Sequence, residues 1–304
     1  MRVTQGMLSH NSLRNLSNSY QSLGKYMDQL STGKKINRPS DDPVVAMKGM
    51  NYRSMVSNVE QYERNLGEVH NWMDNSDNAL DKANDVLERL REIAVQGANG
   101  TYEEEQRENM AEEVDQLRSH LEDLANSKVN NKYLFNGAGT TGVENATGDY
   151  EPPYEIAADG SNNNAPNNND PVRIEVSDGN KVQVNVNPSE FFDTSIFTDI
   201  TNFSNELKNG TDDEAIGDYI GVIDTHIDNN VNARADLGAR QSRVELVENR
   251  LTQQQVTAKD MMSKNEDADI EEVIMNLTSQ ESIHRAALSA GARIIQPSLL
   301  DFLR

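Results

Sequence analysis

The sequence predicts a mainly α-helical protein, a long antiparallel helical bundle or coiled-coil rod with a small β-rich insertion and terminal amphipathic helices. One observation is an apolar stripe that recurs in steps of three and four over more than forty residues. A second is composition: 36% of the 304 residues are hydrophobic and only 5% aromatic, which suits thin bundles with much exposed surface. A third is a pair of short segments with strand-like alternation in the middle of the chain.

The longest predicted element is one continuous helix over residues 52–94. Its 3.5-residue apolar period is typical of a coiled-coil seam, and the stripe comprises Tyr52, Met55, Val59, Tyr62, Leu66, Val69, Met73, Leu80, Ala83, Leu87, Leu90 and Ala94. Ser76 is the only polar residue on it. Asp42 is expected to cap this helix, with Pro43 at its first helical position. The rest of the chain has to supply partners for this stripe.

A shorter helix with its own seam precedes the long one. The seam consists of Leu13, Leu16, Tyr20, Leu23, Met27 and Leu30, and Gly33 is expected to end the helix. Residues 1–40 hold six basic residues and one acidic residue, whereas the whole chain carries a formal charge of −22. A solvated basic helix is the simplest interpretation of the basic segment. The acidic remainder excludes a protein that wraps nucleic acid.

The middle of the chain changes character. Thr101 and Glu104 predict a capping box for a helix with the stripe Met110, Val114, Leu117, Leu121 and Leu124, antiparallel to its predecessor. The segment 132–135 then resembles a strand. Valine and isoleucine alternate with polar residues over 172–176 and 182–186, and the intervening Ser177-Asp-Gly-Asn180 predicts a hairpin turn.

Helix is predicted again after residue 211, with a seam diluted by polar residues, and once more after the polar stretch 263–269. Both ends of the chain therefore carry amphipathic helices whose only evident partners are each other or another subunit. The predicted domains are 1–42 and 264–304 (assembly segments), 43–135 and 211–263 (the two parts of the helical rod), and 136–210 (the β-rich insertion).

No arrangement of residues predicts a catalytic, cofactor or metal site. The chain has no cysteine, so thiol chemistry and disulfides are excluded, and its five histidines lack ligand spacing. The segment 137–142 matches a dinucleotide fingerprint formally, but no helix opens after it, so a glycine-rich turn is the better interpretation. The segment 228–239 lacks the glycine and glutamate of a calcium loop. We therefore expect no enzyme, no membrane span and no cleaved secretory signal.

Segments at both ends of the chain resemble those of bacterial flagellins. The N-terminal segments are Leu13-Arg-Asn-Leu-Ser17, Gln29-Leu-Ser-Thr-Gly-Lys-Lys-Ile-Asn37 and Asp41-Asp42. The C-terminal ones are Asp267-Ala-Asp-Ile-Glu-Glu272, Met275-Asn-Leu-Thr278 and Gln296-Pro-Ser-Leu-Leu-Asp-Phe-Leu-Arg304. The resemblance covers about 1–137 and 210–304. Three further segments are more similar to members that join hook to filament than to filament flagellin: Asn131-Lys-Tyr-Leu-Phe-Asn-Gly137, Pro152-Pro153-Tyr154 and Leu299-Leu-Asp-Phe-Leu303.

The resemblance implies a non-enzymatic, self-assembling axial protein between hook and filament, outside the cell and exported by the flagellar type III apparatus. The implied partners are further copies of the chain in a ring, the adjacent hook-associated protein, filament flagellin, and a cytoplasmic export chaperone at the C-terminal helix. Seam residues of both end helices are the hypothesised assembly interface: Leu13, Leu16, Tyr20, Leu23, Met27, Leu30, Ile270, Val273, Leu277, Ala287, Ile294, Leu299, Leu300 and Leu303.

Three other interpretations remain open at the level of sequence. The chain could be filament flagellin itself, which the family resemblance also allows. A cytosolic coiled-coil adaptor would share the helices, the acidity and the lack of a signal peptide. An enzyme with a nucleotide site at residues 137–142 is the most remote, because the helix that such a site requires is not predicted.

Overall fold

The computed structural model describes residues 5–100, 102–144, 148–164, 169–209 and 213–295. These residues form helices α1 (Gln5–Thr32), α2 (Pro43–Gly97), α3 (Glu104–Ala125), α4 (Pro188–Phe191), α5 (Thr194–Asn209), α6 (Asp213–Glu266) and α7 (Ile270–Ile295). Three antiparallel pairs of short strands join β1 (Lys128–Val129) to β2 (Lys132–Tyr133), β3 (Val143–Glu144) to β4 (Tyr150–Glu151), and β5 (Arg173–Ser177) to β6 (Asn180–Gln183). The predicted mainly α-helical fold class is confirmed.

Two compact units divide these elements. The terminal unit comprises residues 1–58 and 253–304, and the central unit comprises residues 59–252. Helices α2 and α6 contribute to both. The five domain bounds expected from the sequence are finer than this division and stay a prediction.

The stripe along α2 is buried throughout the central unit. From Val59 to Ala94 its predicted members are buried, apart from the half-buried Tyr62. Ser76 is fully buried as well, and its hydroxyl donates to the Trp72 carbonyl at 2.9 Å, so the one polar member of the stripe keeps a partner. The prediction is wrong at Met55, which is 49% exposed, because the inward position there belongs to Val56.

Helix α6 lies antiparallel to α2 within the central unit, as a ladder of polar contacts shows. His70 contacts Glu248, Arg234 contacts both Asp77 and Asp81, and Arg91 contacts Asp224, so one residue number rises as the other falls. Deep in this pair, Asn230 Nδ2 donates to the Leu80 carbonyl at 2.9 Å. The apolar side chains of α6 join those of α2, α3 and α5 in one core cluster.

Two of the three helix ends predicted from the sequence are confirmed. Asp42 Oδ1 accepts hydrogen bonds from the Val44 and Val45 amides, and Pro43 is the first residue of α2. Gly33 ends α1 with a φ of 67°. The predicted Thr101–Glu104 capping box is wrong, because α3 begins later: Glu103 is its N-cap, and the Glu103 amide donates to Gln106 Oε1 at 3.2 Å.

The segment predicted to be β-rich contains helix as well as strand. The β5–β6 hairpin with its turn at 178–179 confirms the prediction, whereas the 16-residue helix α5 was not predicted. The strand expected over 132–135 stops at Tyr133, and Leu134 and Phe135 turn into the core instead. Phe135, Tyr154 and Phe192 form an aromatic cluster, in which the Tyr154 hydroxyl donates to the Phe192 carbonyl at 3.1 Å.

The buried stripe makes a prediction about stability. Leu66, which is 2% exposed, and Leu246, which is 72% exposed, both lie in the central unit and allow the same substitution in two environments. We expect Leu66→Asp to lower the free energy of unfolding by about 3 kcal/mol or more, because a carboxylate replaces a buried leucine. Leu246→Asp should change it by less than about 0.5 kcal/mol. Chemical denaturation measures both, and equal midpoints would contradict the assigned core.

A candidate assembly interface on the terminal helices

Helices α1 and α7 pack against each other, in antiparallel orientation, within the terminal unit. Gln280 Nε2 donates to Ser19 Oγ at 3.2 Å, and the Tyr20 and His284 rings lie 6.3 Å apart. Ser19 and Val273 are buried at this contact. Of the two partners that the sequence left open for these helices, each other or another subunit, the structure shows the first within one chain.

The seam predicted for α1 divides into two faces. Leu16 and Leu23 are half-buried, whereas Leu13, Tyr20, Met27 and Leu30 are exposed, Tyr20 by 71% and Met27 by 61%. The alternate seam positions, one heptad apart at 13, 20 and 27, thus form an apolar strip in which each side chain is more than half exposed. Such a strip on a protein surface is typical of an interaction site.

Helix α7 shows the same division. Val273 is buried, and Leu277 and Ala287 are half-buried. Ile270, which was predicted for the interface, is 52% exposed, and Ile274, Met275, Ile283 and Leu288 are exposed beside or beyond it. Near the far end of the helix pair, a groove of about 240 Å³ is lined by Ser12, Leu13, Leu16, Ala287, Leu288, Gly291 and Ala292.

The remaining predicted interface residues cannot be placed on either face. The side chain of Ile294 is outside the described part of the chain, and Leu299, Leu300 and Leu303 lie wholly outside the described residues. Of the fourteen hypothesised positions, ten therefore have a described environment. Five of these are buried or half-buried in the terminal unit, namely Leu16, Leu23, Val273, Leu277 and Ala287, and Leu16 and Ala287 line the same groove between α1 and α7.

The terminal unit has very little core of its own. Among described residues, its buried hydrophobic side chains are Val56, Ala258 and Val273, compared with 40 in the central unit. Helices in proteins gain most of their stability from packing an apolar face, and burial contributes in proportion to the apolar area covered. The terminal helices therefore gain less from burial than the helices of the central unit.

A cluster of backbone and charged contacts holds the two linkers of the terminal unit together. We call it the linker latch; it consists of Lys34, Gly49, Arg53, Glu266 and Asp267. Lys34 and Asp267 form an isolated antiparallel bridge. The Lys35 amide donates to the Glu266 carbonyl at 2.6 Å, and the Ala268 amide donates to the Gly33 carbonyl at 2.9 Å. The latch thus joins the linker before α2 to the linker before α7.

Glu266 is the buried centre of the latch. Its residue exposure is 4%, and Oε2 lies 2.6 Å from Arg53 Nη2 and 3.7 Å from Lys34 Nζ. Gly49 makes room for it, since a Cβ at position 49 would lie 2.4 Å from Glu266 Oε1. The hydrogen bond to Glu266 raises the pKa of Arg53, and the hydrogen bonds from Lys34 and Ser263 lower the pKa of Asp267. The charged forms of these groups are therefore the stabilised ones.

Sequence reasoning missed the latch, although parts of its signal were visible. Gly49 is a glycine inside a predicted helix, which costs about 1 kcal/mol relative to alanine and indicates close packing. The sequence places Glu266 only in a polar linker, and it places Asp267 in that linker and in a C-terminal segment that resembles flagellins. Their partners lie more than 200 positions away, so no local pattern could identify the pairing.

The described residues hold no arrangement typical of catalysis. Within them, no group of three or more His, Cys, Asp or Glu is placed to hold a metal ion. Residues 137–142 form two successive turns, in which the Gly139 amide donates to the Asn136 carbonyl and the Gly142 amide to the Gly139 carbonyl. A short strand follows at 143–144. The helix N-terminus that a pyrophosphate requires is therefore not formed at this position.

Comparison with known proteins identifies the family. Residues 3–140 match the bacterial flagellin N-terminal helical region, and residues 220–303 match the bacterial flagellin C-terminal helical region. These two regions include α1, α2, α3 and α7 and most of α6. The chain belongs to the bacterial flagellin family. None of its described helices has the length and apolar character needed to cross a membrane.

Individual flagellin-family proteins are similar over different shares of the chain. Flagellin FlaB1 of Treponema pallidum is 27% identical over 308 residues and covers 100% of both chains. Flagellar hook-associated protein 3 of Escherichia coli is 28% identical over 141 residues, which is 46% of this chain and 44% of that protein. The resemblance noted at both ends of the sequence is confirmed.

Solved structures share the fold. A putative flagellar hook-associated protein from Vibrio parahaemolyticus has a TM-score of 0.64 and 21% identity, and the match covers 75% of this chain and 100% of that one. Flagellar hook-associated protein 3 from Legionella pneumophila has a TM-score of 0.58 and 15% identity, with 71% and 98% covered.

The latch makes a prediction about the terminal helices. Glu266→Gln should weaken the hydrogen-bonded pair with Arg53 and lower the local stability of α1 and α7 by about 1–2 kcal/mol. Hydrogen exchange of the amides in these helices measures the loss. The matched control is Asp260→Asn, which breaks an exposed pair with Lys264 on the same helix and should cost less than about 0.5 kcal/mol. If the two variants give the same exchange rates, the latch does not hold the terminal helices.

Proposed function

We propose that the chain is a non-enzymatic structural subunit of the bacterial flagellum that joins the hook to the filament. The observation that carries the proposal is the exposed apolar strip on α1, together with the exposed apolar residues of α7, in a terminal unit with only three buried hydrophobic side chains among its described residues. Covering that strip with neighbouring copies would supply the burial that a single chain lacks. An axial ring of copies is the assembly that provides this cover.

The choice of the junction over the filament rests on the residues that resemble junction members of the family. Tyr133, Leu134, Phe135 and Tyr154 are all buried in the central unit. Burial raises the pKa of Tyr154, whose hydroxyl donates to the Phe192 carbonyl. These residues determine how the central unit packs, so the likeness concerns a structural core rather than scattered surface positions.

Filament flagellin is the second candidate, and one observation favours it. The match to the Treponema pallidum flagellin spans both chains completely, whereas the match to the hook-associated protein of Escherichia coli spans less than half of each. Both candidates use the same exposed strip. They differ in where the chain lies along the flagellum.

The proposed partners follow from the exposed apolar residues of α1 and α7. Further copies of the chain would cover α1 and α7 laterally, and the adjacent hook-associated protein and filament flagellin would lie at the two ends of the ring. Before assembly, the outward apolar residues of α7 need another cover, and we propose a cytoplasmic export chaperone for it. Lack of cysteine is compatible with export as an unfolded chain through the flagellar type III apparatus to the outside of the cell.

Location on the appendage separates the two candidates. Antibody raised against residues 140–200 should label a single band at the proximal end of sheared flagella in electron micrographs. A chain that builds the filament would instead be labelled along the whole length. Recovery of the chain only from the cytoplasm would contradict both and would favour the adaptor interpretation.

A substitution on the exposed strip tests the assembly surface. Met27→Asp places a carboxylate on an outward position, so the monomer should keep its melting temperature, since Met27 is 61% exposed. In the assembly the same carboxylate would be buried without a partner, at a cost of several kcal/mol in every copy. We expect normal export of the variant, loss of filaments and leakage of flagellin into the medium.

The control for this experiment is Asn18→Asp, which adds the same charge at an exposed polar position of α1. It should leave swimming intact. Secreted variant protein is measured in both cases, so that an export defect is not mistaken for an assembly defect. Normal filaments with exported Met27→Asp would show that this strip is not the assembly surface.

A further inference from the structure

Charge is divided unevenly between the two units. Residues 1–58 and 253–304 hold 13 basic and 11 acidic residues, whereas residues 59–252 hold 15 basic and 39 acidic residues. The first set is therefore close to neutral, at +2, and the second carries −24. A chain with this division attracts other copies of itself wherever a basic site on one copy meets the acidic surface of another.

The terminal unit contains a basic site that its own residues leave unpaired. A cleft of about 260 Å³ lies between α1 and the linker that follows it, and Lys25, Lys35 and Arg38 line it together with Asp28 and Asp41. The Asn37 and Arg38 amides donate to Asp41 Oδ2 and hold that carboxylate in place, and it keeps its charge. Three basic and two acidic side chains therefore give the cleft a net charge of +1. None of the three cations forms an ion pair within 4 Å with a described residue, and all three are exposed.

Helix α3 carries the matching acidic feature. Glu104, Glu108 and Glu112 are four residues apart, so they form one stripe on the helix surface. All three are exposed, and none has an ion pair among the described residues. Their neighbours Glu113 and Asp115 differ, since Arg89 and Lys208 neutralise them. The stripe is thus the part of α3 whose charge is left for a partner.

We infer that the basic cleft of one copy receives the α3 carboxylate stripe of a second copy. The two sites are different surfaces of the same chain, so each contact leaves one cleft and one stripe unused. Contacts of this head-to-tail kind continue from copy to copy and end only when a ring closes. The inference deepens the proposed function, because it names a polar contact between copies in addition to the apolar strip.

Reversing the charges tests the contact on the purified, full-length protein. The cleft variant is Lys25→Glu with Lys35→Glu, and the stripe variant is Glu108→Lys with Glu112→Lys, which leaves Glu104 in the first turn of α3. Sedimentation velocity measures self-association at about 20 mM and about 500 mM salt, because screening weakens such contacts at high salt. We expect wild type to associate at low salt, with the dissociation constant rising about tenfold or more in either variant.

Mixing the two variants is the decisive measurement. The acidic cleft of one then faces the basic stripe of the other, so association should return in the mixture and also in a chain that carries all four substitutions. Unchanged melting temperatures verify that the variants are folded.

No self-association of wild type at low salt, or no restoration on mixing, would overturn the inference. Loss in the cleft variant alone would mean that the cleft binds a different acidic surface, and the α3 assignment would be wrong. Antibody labelling of the flagellum tests the proposed function separately. The contact between cleft and stripe can therefore be wrong while the proposed function stands, and the reverse also holds.

Discussion

The uninterrupted apolar stripe of α2 is the constraint on which the central unit depends. From Val59 to Ala94 it presents one buried face, and α6 covers that face in antiparallel orientation with α3 and α5 completing the core. Some of the polar groups that enter this core are paired: Ser76 bonds within its helix, and Asn230 Nδ2 donates to the Leu80 carbonyl. Trp72 Nε1 and Asn230 Oδ1 are buried without a hydrogen-bond partner among the described residues. Helices in proteins gain most of their stability from packing an amphipathic face rather than from helix propensity. Tertiary burial therefore accounts for the stability of α2.

Burial is distributed unevenly between the two units. The central unit holds nearly all the buried hydrophobic side chains described, and the terminal unit holds three. This division suits the proposed export and assembly, because nearly all of the described core lies in the central unit. In the proposed assembly, the terminal helices would gain their missing burial from other copies. The same apolar strip would make a monomer prone to association, which is why a chaperone belongs to the proposal.

The linker latch fixes the register of the terminal helices. Because the terminal helices bury few apolar side chains, polar contacts have to fix their register. These contacts come from the buried Glu266, which pairs with Arg53 and Lys34, and from the backbone bridge between Lys34 and Asp267. The contacts are polar and directional, so they specify one alignment of the linkers rather than adding much stability. Gly49 is part of the same device, because any side chain there would meet the Glu266 carboxylate.

Sequence alone determined the features that depend on neighbours along the chain. The period of the α2 stripe, the Asp42–Pro43 start, the Gly33 stop and the β5–β6 turn are local, and each was predictable from spacing and backbone preference. Family membership was also predictable from the two ends. Tertiary structure decided the rest: which half of the α1 seam faces α7, why Val56 replaces Met55 inside, the helix α5, and the latch. These depend on contacts between residues far apart in the sequence, such as Arg53 with Glu266, and no local pattern encodes which distant side chain will cover a given face.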